Sequence, residues 1–80
     1  MHADAIYQQL TTILRDVFDD DALVARADLT ADDVEEWDSL SHLRLITTVQ
    51  KTFGIKFSAA EVGKLGNVGD LARLIQAKAP

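Results

Sequence analysis

Glu35 to Ile46, EEWDSLSHLRLI, gathers an aspartate, a serine and a histidine (Asp38, Ser39 and His42) within little more than one helical turn. Ser39 and His42 lie three residues apart, so on a helix they share a face. A serine–histidine nucleophile pair also needs an orienting group, an oxyanion hole and a cleft. A chain of 80 residues has little room for these, and no glycine-rich turn surrounds Ser39. We therefore read His42 as an exposed residue without a catalytic role. The acidic run DDDALVARADLT invites a calcium-loop reading. It fails because Leu23 and Val24 occupy the fifth and sixth positions, where a ligand and a glycine are required. Cysteine is absent, which excludes disulfides, thiolate metal sites and a cysteine nucleophile.

A different chemistry is open to Ser39. Serine is a mediocre residue inside helices and a good one at their starts. In a first turn its hydroxyl stands where unpaired backbone N–H groups and the positive end of the helix dipole converge. A phosphodiester attached there would be stabilised by the field that places anions at helix N-termini. The plain alternative is an N-cap and nothing more. The tripeptide DSL does not decide between the two.

The elements around Ser39 set the context. Ile6, Leu10, Ile13, Leu14, Val17 and Phe18 recur at helical spacing and predict a first helix over Ala3 to Phe18. Asp19, Asp20 and Asp21 would oppose the negative end of its dipole, so it should stop there. Residues 19–38 lack sustained periodicity and form a long connection, of the kind that carries function when it is ordered. Leu23, Leu29, Val34 and Trp37 are expected to tack it to the core, with TADD at Thr30 to Asp33 capping a short turn.

From Ser39 the pattern is helical again, with Leu40, Leu43, Ile46, Val49 and Phe53 in the stripe, Leu45 beside them, and Leu40, Leu43 and Ile46 facing the core. Asp38 or Ser39 supplies the cap, and Gly54 is the stop. SAAE at Ser58 to Glu61 is a capping box that opens a short third helix, ending near Leu65. NVGD at Asn67 to Asp70 starts the last helix, whose stripe is Val68, Leu71, Leu74 and Ile75. GIKF is too short to count as a strand. The fold expected is all-α, a four-helix bundle with a long first loop and a short third helix, as one domain over residues 1–80.

Composition narrows the function. Apolar residues make up 48% and charged residues 26%, an ordinary globular balance. No apolar run approaches the length of a membrane span, and no signal peptide is visible, so the cytoplasm is the default compartment. A net charge of −5 works against nucleic-acid binding. The charge is unevenly spread: residues 1–38 hold 11 acids and two bases, giving −9, whereas residues 39–80 hold two acids and six bases, giving +4. Two readings follow, a merely solvated surface and a two-signed face that orients a partner.

DSL opening the second of four helices after a long acidic loop, FGI (Phe53 to Ile55) closing that helix, a capped short helix, and then NVGDLARLI form an ordered set. From about Ile6 to Ile75 this set resembles the acyl carrier protein family, including its stand-alone and peptidyl carrier relatives. The resemblance implies that Ser39, flanked by Asp38 and Leu40, receives 4'-phosphopantetheine from coenzyme A. A phosphopantetheinyl transferase using magnesium would make that transfer. The prosthetic thiol would then hold an acyl or aminoacyl group as a thioester for loading and acyl-transfer enzymes, and the protein would have no catalysis of its own. Family members can fold cargo into a cleft between helices. Leu43, Ile46, Ile55 and Leu65 are candidates to line one here, with plain core packing as the alternative.

The departures from the family pattern are informative. Fatty-acid synthesis carriers usually bear acids along the second helix, whereas Ser39 to Phe53 contains none and includes His42, Arg44 and Lys51. Trp37 precedes the aspartate, and Glu36 stands where glycine is often found. These features resemble carriers of specialised pathways, with Trp37, His42, Arg44 and Lys51 as the candidate docking residues. The chain is expected to act as a free-standing monomer. The alternative is an unmodified helical interaction domain that binds a partner helix through Trp37, Leu40 and neighbouring apolar side chains.

Overall fold

The computed structural model describes residues 2–79, and within them the chain is all-helical: α1 (Ala3–Phe18), α2 (Ser39–Phe53), α3 (Ala59–Gly63) and α4 (Val68–Lys78). There is no strand among the described residues. The long first connection contains a single 3-10 turn at Ala31–Asp33, where the Asp33 carboxylate accepts the Thr30 N–H at 3.0 Å.

Each helix begins and ends where its local chemistry directs. α1 stops with Asp19 in the left-handed region, at φ 51°, its N–H donated to the Arg15 carbonyl. α2 stops at Gly54, φ 66°, a backbone conformation that costs glycine little. In α3 the Ser58 hydroxyl accepts the Glu61 N–H and the Glu61 carboxylate accepts the Ser58 N–H, so a five-residue helix is held by a complete capping box. Asn67 caps α4 by accepting the Asp70 N–H at 2.8 Å.

α1 is the central element, and both α2 and α4 pack against it. Its Ile6, Leu10 and Leu14 are essentially inaccessible and meet Leu45 and Val49 of α2 and Val68 and Ile75 of α4 in one apolar cluster. The long loop joins that cluster through Ala25, Leu29 and Val34, while Leu23 and Trp37 pack at its edge. Loop backbone also closes the N-terminal end of α4. Val68 N–H donates to the Leu29 carbonyl at 2.8 Å and Gly69 N–H to the Ala27 carbonyl at 2.9 Å, giving partners to donors that a helix start leaves unpaired.

One expectation is overturned. Leu40 and Leu43 do not face the core with Ile46; they are 69% and 61% exposed. The buried side chains of α2 are Leu45, Ile46 and Val49, with His42 half-buried one turn before them. Apolar residues occupy more of the circumference of α2 than its buried arc. The spacing of hydrophobes alone therefore selects a stripe rotated toward solvent.

Candidate functional site

The site forms where the long loop enters α2. Asp38 is the N-cap: its backbone is extended, and its carboxylate Oδ1 accepts the Ser41 N–H at 2.8 Å. The backbone N–H of Ser41 beside that carboxylate, and next the Ser41 side-chain hydroxyl, hold the Asp38 pKa below its ordinary value. Because Asp38 does the capping, Ser39 does not. Ser39 is the first residue of α2, is exposed, and its hydroxyl makes no hydrogen bond among the described residues. The question of which residue caps the helix is thereby settled, and the serine is left with its nucleophilic oxygen at the positive end of the helix.

Ser39 opens onto a hollow of about 520 Å³ lined by Ala31, Trp37, Asp38, Ser39, His42 and Leu43. Beside it lies a smaller, partly open cavity of about 60 Å³, bounded mainly by Trp37, His42, Leu45, Leu65, Val68 and Leu71. Ala31, Trp37 and His42 border both spaces. The Trp37 indole Nε1–H donates to His42 Nδ1 at 3.1 Å, with the two rings stacked at 6.1 Å between centroids. The other side of Trp37 leans on Phe18, at 5.3 Å and tilted by 42°. His42 is thus half-buried and bonded, not the exposed histidine expected from sequence.

The candidate residues separate in space. Ser39, Asp38, Trp37 and His42 come together around the hollow. Leu40, Arg44 and Lys51 lie on exposed positions of α2, with neither base in an ion pair among the described residues. Of the four residues considered for a cleft, Leu65 lines the inner cavity and Leu43 the outer hollow, while Ile46 and Ile55 are buried away from both. Sequence reasoning missed Ala31, Gly66 and Asn67 as cavity walls. Nothing in their local sequence marks them, since the loop and the α3–α4 junction meet α2 only through tertiary packing.

No helix among the described residues is long and apolar enough to cross a membrane, and none of their histidine and acidic side chains cluster as a metal site would require. An unengaged serine hydroxyl at a helix N-terminus, beside a largely apolar hollow in a small bundle, suits the covalent attachment of an anionic group.

Known proteins agree. A family profile described as "Phosphopantetheine attachment site" matches residues 8–75. The solution NMR structure of a holo acyl carrier protein from Geobacter metallireducens superposes with a TM-score of 0.86 at 47% identity, covering 90% of this chain and 83% of that one. A comparison with curated proteins returns no match. The chain belongs to the acyl carrier protein family, whose members are carriers, not enzymes, and whose cofactor is covalently attached 4'-phosphopantetheine.

The residues present fit that group. The Ser39 hydroxyl is free for esterification, the end of α2 favours a phosphate, and the hollow gives a pantetheine arm apolar surface to lie on.

Proposed function

We propose that Ser39 is the attachment site and that the protein shuttles an acyl or aminoacyl group between enzymes of a specialised biosynthetic pathway, as a cytoplasmic monomer. The observation that carries the reading is the division of labour at the start of α2. Asp38 takes the cap bond from Ser41, and this leaves the Ser39 oxygen exposed and without a hydrogen-bond partner among the described residues.

In the loading step the Ser39 oxygen attacks the phosphorus next to the pantetheine of coenzyme A. A new serine–phosphate ester forms, the pyrophosphate bond breaks, adenosine 3',5'-bisphosphate leaves, and the serine proton passes to the transferase. Asp38 holds the helix start in place for this step, and the positive end of α2 favours the resulting phosphodiester. Once attached, the group supplies a thiol that carries the cargo as a thioester.

The specialised pathway is supported by α2 itself. Leu40, Leu43, Arg44, Thr47 and Lys51 follow one another at helical spacing on exposed positions, a basic and apolar face with no acid. Such a face suits a partner with an apolar recess and an acidic rim, and it repels the basic patches that recognise acidic carriers.

The test is intact mass after incubation with coenzyme A, magnesium and a broad-specificity phosphopantetheinyl transferase. The expected result is a gain of one phosphopantetheine in the wild type and none in Ser39→Ala. No gain with several transferases would favour an unmodified interaction domain.

A further inference from the structure

The hollow beside Ser39 and the smaller cavity next to it are separated by a partition made largely of two side chains. Trp37 and His42 border both spaces, and the indole N–H is bonded to the imidazole Nδ1 at 3.1 Å. The indole is held from behind by Phe18 and stacked on the imidazole in front. Nδ1 is the acceptor of this bond. The inner cavity is walled by the apolar Leu45, Leu65, Val68 and Leu71, and at about 60 Å³ it has room for only about four water-sized units. Most of its wall is apolar, which suits a hydrocarbon tip.

We propose that the Trp37–His42 pair is a latch that limits the cargo this carrier can shield. A short acyl tip of about four heavy atoms or fewer fits the space behind it. A longer chain stays in the outer hollow, exposed to partners and solvent, unless the latch opens. The inference rests on Ser39 as the attachment point and adds a specificity-determining role for two residues that the loading reaction itself does not use. It gives the tryptophan before the Asp-Ser-Leu tripeptide, and the histidine after it, a joint purpose. A retained long chain would have to displace both rings and break their hydrogen bond.

The experiment loads ¹⁵N-labelled protein with acetyl, butyryl, hexanoyl and octanoyl arms from the corresponding acyl-coenzyme A esters. It then reads the amide shifts of Leu65, Val68 and Leu71, together with the rate at which hydroxylamine cleaves the thioester. In the wild type the shifts should rise from acetyl to butyryl and fall back for hexanoyl and octanoyl, whose chains stay in the outer hollow. Octanoyl should be cleaved faster than butyryl, which the inner space shields. In Trp37→Phe, which keeps an aromatic ring but loses the N–H donor, and in Trp37→Ala, the shifts should keep growing to octanoyl. The octanoyl thioester should then be cleaved at least about threefold more slowly than in the wild type, because burial excludes the attacking reagent.

Helical circular dichroism separates unfolding of a variant from opening of the latch. His42 ¹⁵N shifts in the unmodified protein give a readout that needs no loading, and they should report Nδ1 as an unprotonated acceptor. Wild-type shifts that grow steadily through octanoyl, or tryptophan variants that match the wild type at every chain length, would overturn the latch. If no arm can be loaded, the Ser39 assignment fails and the latch fails with it. If loading succeeds without the break in chain-length dependence, only the latch fails.

Discussion

Asp38 and Ser39 divide between them two tasks that a lone helix-start serine would have to combine. Asp38 binds the Ser41 N–H and so fixes where α2 begins. That bond favours the carboxylate over the acid, so the folded-state pKa lies below the unfolded value of about 3.8. A group shifted in this direction contributes stability that is fully present above the unfolded value and is lost as pH falls through the lower folded value. Asp38→Ala should therefore lower the urea midpoint at neutral pH. The gap between variant and wild type should narrow in strong acid, where the wild-type carboxyl is protonated as well. An unchanged gap across that range would show that the charge on Asp38 contributes nothing to the cap. Ser39→Ala should leave both midpoints near wild type, because the serine hydroxyl makes no hydrogen bond among the described residues.

The helices were legible in the sequence because their ends are written locally. Ser58 with Glu61, Asn67 with Asp70, and Gly54 each mark a boundary through residues three or four positions away, and α1 and α2 run over the segments expected. What was not legible is which face of α2 turns inward, because the polar His42 occupies a position on the inward arc and two leucines sit outside it. Nor was the seam between the loop and α4, which joins residues far apart in the chain.

Gly69 shows what that seam demands. A Cβ at this position would stand 2.9 Å from the Ala27 carbonyl oxygen and 3.1 Å from its Cβ. The neighbour is backbone, held by the Gly69 N–H itself, and it has little freedom to retreat. Gly69→Ala should cost about 1–3 kcal/mol by overpacking, seen as a lower melting temperature. At Gly63, the end of α3, an added Cβ would meet nothing within 4 Å, so Gly63→Ala should be neutral or stabilise by up to about 1 kcal/mol. Equal effects of the two substitutions would mean that the seam yields more readily than its geometry implies.

At the scale of the whole molecule, the charge is segregated along the chain, with −9 over residues 1–38 and +4 over residues 39–80. The fold modifies how that imbalance is presented. Arg26 in the loop is occupied by Asp28 at 2.9 Å and lies near Asp33, Arg73 pairs with Asp70, and Lys78 pairs with Glu61 at 3.1 Å. Arg44 and Lys51 have no such partner among the described residues and lie two helical turns apart on the face that also exposes Leu40 and Leu43. Lys56 and Lys64 are likewise exposed and without an ion pair among the described residues, and of these four bases Arg44 lies nearest Ser39 along the chain, where a partner enzyme must approach the arm. Steering by exposed charges acts on the association rate and is weakened by salt, whereas the apolar contacts persist. The double reversal Arg44→Glu with Lys51→Glu should slow cargo transfer from the cognate loading enzyme about tenfold at low ionic strength. The loss should shrink as salt is added, and the melting temperature should barely change because both side chains are exposed. Leu43→Ala should instead slow transfer equally at low and high salt. A double reversal that leaves transfer unchanged would remove the basic face of α2 from recognition and place partner choice in the acidic loop.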